Sequence, residues 1–457
     1  MDLIPKPGQV VSAAGNVAHR LVFGGVADLR PMPRTLIDDG TLREVYHYQP
    51  GSHVHDEGDP VLLVTPLAAP ALCYDLRRGC SLVEHLVEGG RPTYLVEYGD
   101  VSFHDRDLGI EHWVDEAVPA AVREVSAHAG GRQVHLVGWS LGGVFALLAA
   151  AADPTLPIGS ITVLGTPFDV GQVPLVAPLR PLLTLTDGRG AVTRLYQAAG
   201  AVPQPLVRWA IQLSMFQRLV TKPLAIARHL DDGDYLAQLE AVDRFRDHMV
   251  AYPGRTFGQL YHRLLKGKAL DEGAFDLEGR TISIADVTAP VLVFAGAEDG
   301  IAPAGSVKAL VPFLVGSSDV RFEIVPGGHL GILTGRRART ATWPVIDAWL
   351  AEWSRFGAEP ASAAAAAAKA APRRTTKKAS KKAAKKAAKK ASRKPSPATK
   401  AAASPAQKPA QKSAEKPVEA PAKPAEEAPP EEHADEPSIG VNPHRRYGSA
   451  GSRALRR

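Results

Sequence analysis

Short apolar runs recur along the chain at Val61–Val64, Tyr94–Val96, Val134–Val137, Ile161–Leu164, Val291–Ala295 and Val320–Val325. Runs of this length without strict polar alternation are the pattern of strands covered on both faces, as in a parallel sheet. Leu42–Tyr48 instead alternates apolar and polar positions, which predicts an edge strand with one wet face. Between these runs, Ser81–Glu88 and Trp113–Ala127 carry apolar residues at helical spacing. Strands alternating with helices predict a doubly wound, mostly parallel α/β sheet.

The alternation stops between Thr166 and Asp286, where no comparable strand is predicted. Leu206–Leu219, Asp234–Met249 and Thr256–Leu265 have helical spacing there. A helical cap inserted over about residues 167–287 follows. Open α/β sheets bind ligands beyond the carboxyl ends of their strands, so an insertion at that edge should shape the substrate tunnel.

The run Val134–Val137 leads into Gly138-Trp139-Ser140-Leu141-Gly142, which opens an Ala/Leu-rich helix over residues 141–152. Strand, sharp turn and helix are the context a GxSxG nucleophile elbow needs, because the glycines leave room for a turn that lifts the serine hydroxyl off the sheet. Ser140 is therefore the candidate nucleophile. Downstream, Gly296-Ala297-Glu298-Asp299-Gly300 follows one predicted strand and Pro326-Gly327-Gly328-His329-Leu330-Gly331 follows another. An acid and then a histidine, each at a strand's carboxyl end, give the chain order Ser, acid, His of an α/β-hydrolase triad.

In that arrangement His329 takes the proton of Ser140 and the acid fixes the imidazole tautomer. Glu298 and Asp299 are chemically equivalent candidates for the acid. The oxyanion of an attacked carbonyl needs preorganised donors. Leu141 supplies one backbone N–H, and Leu67 or Ala68, in the loop after Val61–Val64, the other. His248 and His262 read as surface or packing residues. Neither metal-ligand spacing nor a bound cofactor is read from the chain.

Composition adds a boundary. Net charge is +6 over 457 residues, but residues 357–457 hold 23 Lys/Arg and 9 Asp/Glu, leaving 31 and 39 for residues 1–356. The basic character thus belongs to the tail and says nothing about substrate charge. From Gly357, Ala, Lys, Pro and Glu replace periodic apolar sequence, and such a segment buries too little to offset its ordering entropy. Residues 1–356 are expected to form the catalytic domain and 357–457 a disordered tail. Two cysteines, Cys73 and Cys80, are too few for a disulfide framework and read as packing residues. The N-terminal residues lack a basic region followed by an apolar stretch, and no run is long enough to span a bilayer, so the expectation is a soluble cytoplasmic protein.

Several blocks resemble the polyhydroxyalkanoate synthases and their α/β-hydrolase relatives over most of residues 40–353. These are Pro60–Val64 leading into Tyr74-Asp75-Leu76-Arg77 and Ser81-Leu82-Val83, Glu97-Tyr98-Gly99-Asp100, Asp105–Gly109, and Gly165-Thr166-Pro167-Phe168-Asp169. Gly296 with Asp299, Ile301 and Pro303, and Gly327–Gly331 through Gly335-Arg336 to Trp343, complete the set. The resemblance selects Asp299 over Glu298 and gives Ser140, Asp299 and His329 as the triad. It also implies hydroxyacyl transfer from coenzyme A to a growing polyester, with a coenzyme A thioester as substrate rather than bound cofactor. The synthases carry cysteine at the nucleophile, where this chain has serine. A serine ester retains less driving force for transfer than a thioester, which moves the expectation towards hydrolysis or simple acyl transfer of related esters. A general carboxylesterase or lipase is the neighbouring alternative.

Lys369–Lys412 contains 16 Lys/Arg and no acidic residue, with lysine pairs repeating every four residues from Lys377-Lys378 to Lys389-Lys390. Lysines at i and i+4 repel, and a polyanion would relieve that repulsion. DNA, RNA or another polyanionic surface is the expected partner, through phosphates rather than bases, because no aromatic residue interleaves the lysines. Glu415–Glu436 holds 8 acidic residues and 2 lysines and could compete for the basic block. A different class of function follows from this tail: a nucleic-acid or granule-surface tether whose hydrolase body is a non-catalytic scaffold.

Overall fold

Successive residues of a strand face opposite sides of its sheet, and here both sides of the central strands are covered. A computed structural model of the chain describes residues 7–67, 69–169, 172–173, 201–202, 225–250, 252–260 and 273–355. Leu62, Val64, Leu136, Ile161, Val163, Val291 and Val293 lie in one buried cluster, while Val61, Leu63, Val137, Leu164, Leu292 and Phe294 lie in the other. That division explains why the strands read as unbroken apolar runs.

The strands are β1 (Arg34–Gly40), β2 (Arg43–Tyr48), β3 (Val61–Val64), β4 (Thr93–Glu97), β5 (Val134–Trp139), β6 (Ile158–Leu164), β7 (Ala201–Val202), β8 (Tyr252–Pro253), β9 (Ala274–Leu277), β10 (Arg280–Ser283), β11 (Val291–Gly296) and β12 (Val320–Val325). Eight form one sheet in the order β1-β2-β4-β3-β5-β6-β11-β12. The pairs from β4 to β12 are parallel; β2 pairs antiparallel with both β4 and β1. The fold is the mostly parallel α/β-hydrolase sheet expected.

The described α-helices are α1 (Pro7–Phe23), α2 (Leu82–Glu88), α3 (Val118–His128), α4 (Leu141–Ala152), α5 (Gly233–Asp247), α6 (Gly254–Gln259), α7 (Ala304–Lys308), α8 (Gly331–Thr334), α9 (Ala338–Ala341) and α10 (Trp343–Trp353), joined by short 3-10 turns and one π-helix. Ser81 caps α2, its side chain accepting from Glu84 N, as the sequence Ser-x-x-Glu favours. α10 buries Trp343, Ile346, Trp349 and Leu350, one stripe at helical spacing.

The structure departs from the sequence pattern at several places. Leu42–Tyr48 is predicted at an edge, but β1 lies outside β2 and is the edge on that side; Arg34–Gly40 escapes the apolar pattern because much of it is exposed, and Val320–Val325, predicted as a strand covered on both faces, is the opposite edge with Glu323 and Ile324 exposed. The single helix expected over 113–127 is a π-helix over His112–Ala117 running into α3. Pro119 has no N–H for the carbonyl four residues earlier, and the wider winding precedes it. Between Thr166 and Asp286 short strands do occur. β9 and β10 form a hairpin with Phe275, Leu277 and Ile282 buried, closed by Glu278-Gly279, both at positive φ, the backbone of a two-residue type I′ turn.

Leu206–Leu219, residues 261–265 and the tail over 357–457 lie outside the described residues. The predicted helix Asp234–Met249 corresponds to α5, which an ionic network holds to the sheet body. Asp234 accepts from Arg77 at 2.6 Å, Arg336 at 2.7 Å and Arg339 at 3.0 Å, and Asp232 pairs with Arg336 at 2.9 Å. Burial pushes the Asp234 carboxyl up, but the guanidinium groups of Arg77, Arg339 and Arg336 outweigh it and hold the group below the ordinary carboxylate range. Among the described residues, no helix is long and apolar enough to cross a membrane.

Candidate active site

Ser140 sits between β5 and α4 with φ 53° and ψ −122°, a region that costs a residue with a side chain roughly 1–3 kcal/mol and persists only where its surroundings enforce it. Two glycines enforce it here. A Cβ on Gly142 would lie 2.2 Å from Val64 O, and one on Gly138 would lie 2.6 Å from Gly143 Cα. The turn is therefore packed backbone against backbone, and the GxSxG spacing is a steric requirement of this loop.

The Ser140 hydroxyl lies 2.9 Å from His329 Nε2, and His329 Nδ1 lies 2.8 Å from Asp299 Oδ2. Residues 189 and 30 positions apart thus meet at the carboxyl ends of β5, β11 and β12. The other oxygen of Asp299 accepts from the backbone N–H of Ile301 and of Ala302, each at 2.8 Å. Those donors fix the carboxylate and leave one oxygen for the imidazole. The Asp299 side chain is fully buried and that of His329 is 10% exposed, so water competes little for either bond. Glu298 instead pairs with Arg337 at 3.0 Å on the surface.

Leu141 is the first residue of α4, and an amide there stands outside the helix's own bonding ladder, at the positive end of the helix dipole. Leu67 is buried in the loop after β3; Ala68 lies outside the described residues. His248, at the end of α5, bonds through Nδ1 to Arg244 O, and His262 is outside the described residues.

Three residues to which the sequence assigns no role frame the site. A Cβ on Gly165, at φ 56°, would lie 3.2 Å from His329 Nδ1 and 3.3 Å from Asp299 Oδ2, so this glycine admits the histidine-carboxylate pair. The Tyr74 hydroxyl lies 2.8 Å from Val64 O and 2.9 Å from Val137 O, sharing its one proton between the ends of β3 and β5. Trp139 donates from Nε1 to His329 O at 3.0 Å. Gly165 and Tyr74 belong to the blocks that carry the family resemblance, but their contacts join distant segments and leave no local signal.

Arranged this way, the three side chains can move a proton from a hydroxyl to an imidazole and back, the requirement for acyl transfer through a covalent ester. The chain is 23% identical over 342 residues to the poly(3-hydroxyalkanoate) polymerase subunit PhaC of Thiocystis violacea, covering 75% of this chain and 94% of the relative. It is 25% identical over 340 residues to the subunit of the same name from Allochromatium vinosum, covering 74% and 94%. A carboxyl esterase structure from Bacillus coagulans superposes with a TM-score of 0.44 at 16% identity, over 70% of this chain and 97% of that one. Similarity to polymerase subunits on an α/β-hydrolase fold supports an enzyme. Residues 82–336 match the family described as alpha/beta hydrolase fold, more than half of the chain, and the protein belongs to that family.

Proposed function

We propose that this protein is a synthase-like acyltransferase or hydrolase that works through an acyl-Ser140 intermediate on hydroxyacyl thioesters or polyesters, with hydrolysis or simple acyl transfer favoured over polymerisation. The observation that carries this reading is the hydrogen-bonded chain Ser140 Oγ, His329 Nε2, His329 Nδ1, Asp299 Oδ2 at 2.9 and 2.8 Å.

In the first half-reaction His329 Nε2 accepts the Ser140 proton as Oγ attacks the acyl carbonyl. Asp299 stabilises the imidazolium. The oxyanion of the tetrahedral intermediate takes hydrogen bonds from the N–H of Leu141 and of Leu67 or Ala68; losing one such donor typically costs about 3 kcal/mol of transition-state stabilisation. Collapse breaks the carbonyl bond to sulfur or oxygen, and the imidazolium gives its proton to the departing thiol or alcohol. In the second half-reaction His329 deprotonates water, or an acceptor hydroxyl, which attacks the serine ester and frees Ser140.

The relatives are polymerase subunits by name, which supports hydroxyacyl groups as the acyl class and a coenzyme A thioester as one donor. Serine at position 140 favours water or a simple alcohol as acceptor, because its ester holds less transfer potential than the thioester of a cysteine enzyme. In this reading residues 1–356 are the catalytic domain, with the cap over about 167–287.

The test offers the full chain 3-hydroxyacyl-CoA and, separately, short-chain aryl esters. Coenzyme A release with polymer supports synthase activity, ester cleavage alone supports hydrolysis, and turnover of neither with Ser140→Ala indistinguishable from wild type overturns the reading.

For the tail we propose sequence-independent contact with a polyanion such as DNA or RNA. The supporting observation is the 16 Lys/Arg without an acidic residue over Lys369–Lys412.

A further inference from the structure

We propose that Trp139 is a positioning residue for His329, and that α5 sets its position through Phe245. The inference rests on the acyl-transfer reading of the site and names the group that holds its base in register. Trp139 ends β5, one residue before Ser140, and is 4% exposed. Its indole makes two contacts with one residue: Nε1 donates to His329 O at 3.0 Å, and the ring lies 5.0 Å from the imidazole, centroid to centroid, at 42°. The first fixes the backbone from which the imidazole projects, and the second limits how far the ring can tilt about its side-chain bonds. Gly165 leaves no side chain on its own side of the pair to do the same work.

The indole has its own support. Phe245, 6% exposed near the carboxyl end of α5, meets Trp139 edge to face with centroids 6.1 Å apart. An aromatic pair of this geometry is favourable beyond the area it buries. The opposite end of α5 grips the segment after His329: Asp232 and Asp234 hold Arg336, and Gln238 Nε2 donates to Thr334 O at 3.1 Å. One helix therefore reaches the histidine segment twice, through ions and an amide past the residue and, by way of the Trp139 indole, through an edge-to-face ring contact behind it. A displacement of α5 is transmitted to the imidazole by the indole, and a misplacement of about 1 Å in a reacting group can cost on the order of a hundredfold in rate.

The experiment uses the full chain and compares wild type with Trp139→Phe and Phe245→Leu. Trp139→Phe keeps a ring and removes the donor; Phe245→Leu leaves both contacts to His329 and removes the support. The first readout does not depend on activity. A protonated imidazole quenches a neighbouring indole, so the wild-type minus Trp139→Phe emission should fall as His329 is protonated, and His329→Ala should abolish that titration. The second readout is aryl-ester turnover and the rate of Ser140 labelling by a fluorophosphonate. Trp139→Phe should lower kcat and labelling about ten- to a hundredfold. KM should stay within about twofold and the unfolding midpoint within a few degrees. Phe245→Leu should lower kcat less, in the same direction.

Wild-type kcat and labelling in both variants overturn the positioning role while leaving the acyl-transfer reading intact. An emission difference insensitive to His329→Ala overturns the contact itself. If wild type neither turns over ester nor reacts with the probe, the acyl-transfer reading falls and the proposal with it.

Discussion

Asp299 and Glu298 are neighbours in sequence with separate partners: Asp299 Oδ2 lies 2.8 Å from His329 Nδ1, whereas Glu298 Oε1 pairs with Arg337. Two carboxylates that composition leaves equivalent are divided by the turn between them. Asp299→Asn should reduce aryl-ester kcat about a thousandfold or more through the wrong imidazole tautomer, and Glu298→Gln should leave it within about threefold, since an exposed ion pair contributes little. Steady-state rates of the two purified variants check this. Comparable losses in both would contradict the assignment.

Ser140→Cys tests the division between hydrolysis and transfer. An acyl thioester remains activated, so the variant's ratio of transfer to a hydroxyl acceptor over hydrolysis should rise at least about tenfold. The products to count are acylated acceptor and free acid from one hydroxyacyl-CoA donor. An unchanged ratio would mean that access of water, rather than the nucleophile, sets the outcome.

Gly142→Ala puts a Cβ 2.2 Å from Val64 O, a backbone atom that cannot move aside without disturbing β3. Urea unfolding should show a loss of more than about 2 kcal/mol, together with loss of probe labelling at Ser140. Gly331→Ala meets nothing within 4 Å and is the control, expected within about 0.5 kcal/mol of wild type.

His135, buried on β5, has its pKa lowered to about 4 by burial. Unfolded, it titrates near 6.5, so between those values the unfolded chain binds the extra proton. The stability that comes from keeping this ring neutral is fully present above pH 6.5. It is lost as pH falls through the window to about 4, by about 3 kcal/mol. Urea midpoints of wild type and His135→Gln from pH 7 to 4 measure it; parallel curves would refute the assignment.

The tail proposal predicts a salt-sensitive gel shift. Residues 357–457 should retard duplex DNA at 50 mM salt, and if six or more phosphates are engaged the affinity should fall about a thousandfold by 200 mM. Retardation that persists unchanged at high salt would rule out phosphate neutralisation as its source.

Much of the fold was legible because burial on two faces writes itself into the chain as apolar runs, and every run read as a strand in Val61–Val64, Val134–Val137 and Val291–Ala295 falls within one. The elbow was legible because a turn this tight demands glycine at fixed offsets from Ser140. β1 was not, since an edge strand such as Arg34–Gly40 draws its stability from a neighbour's backbone and needs no apolar pattern. The indole beside the histidine and the phenyl ring that supports it were invisible for a related reason. Trp139 and Phe245 are 106 positions apart, and nothing local to either sequence says that they meet. The carboxylate was legible only as a choice of two, settled by resemblance, because the direction in which a loop turns its side chains is not written in their chemistry.

The Tyr74 phenol has a mechanical consequence. β5 leads to Ser140 and β3 to the loop beside it, and one hydroxyl touches the last carbonyl of β3 and the Val137 carbonyl two residues before the end of β5. The spacing between the strand that carries Ser140 and the strand that leads to Leu67 is thereby set inside the core, by a single rigid ring.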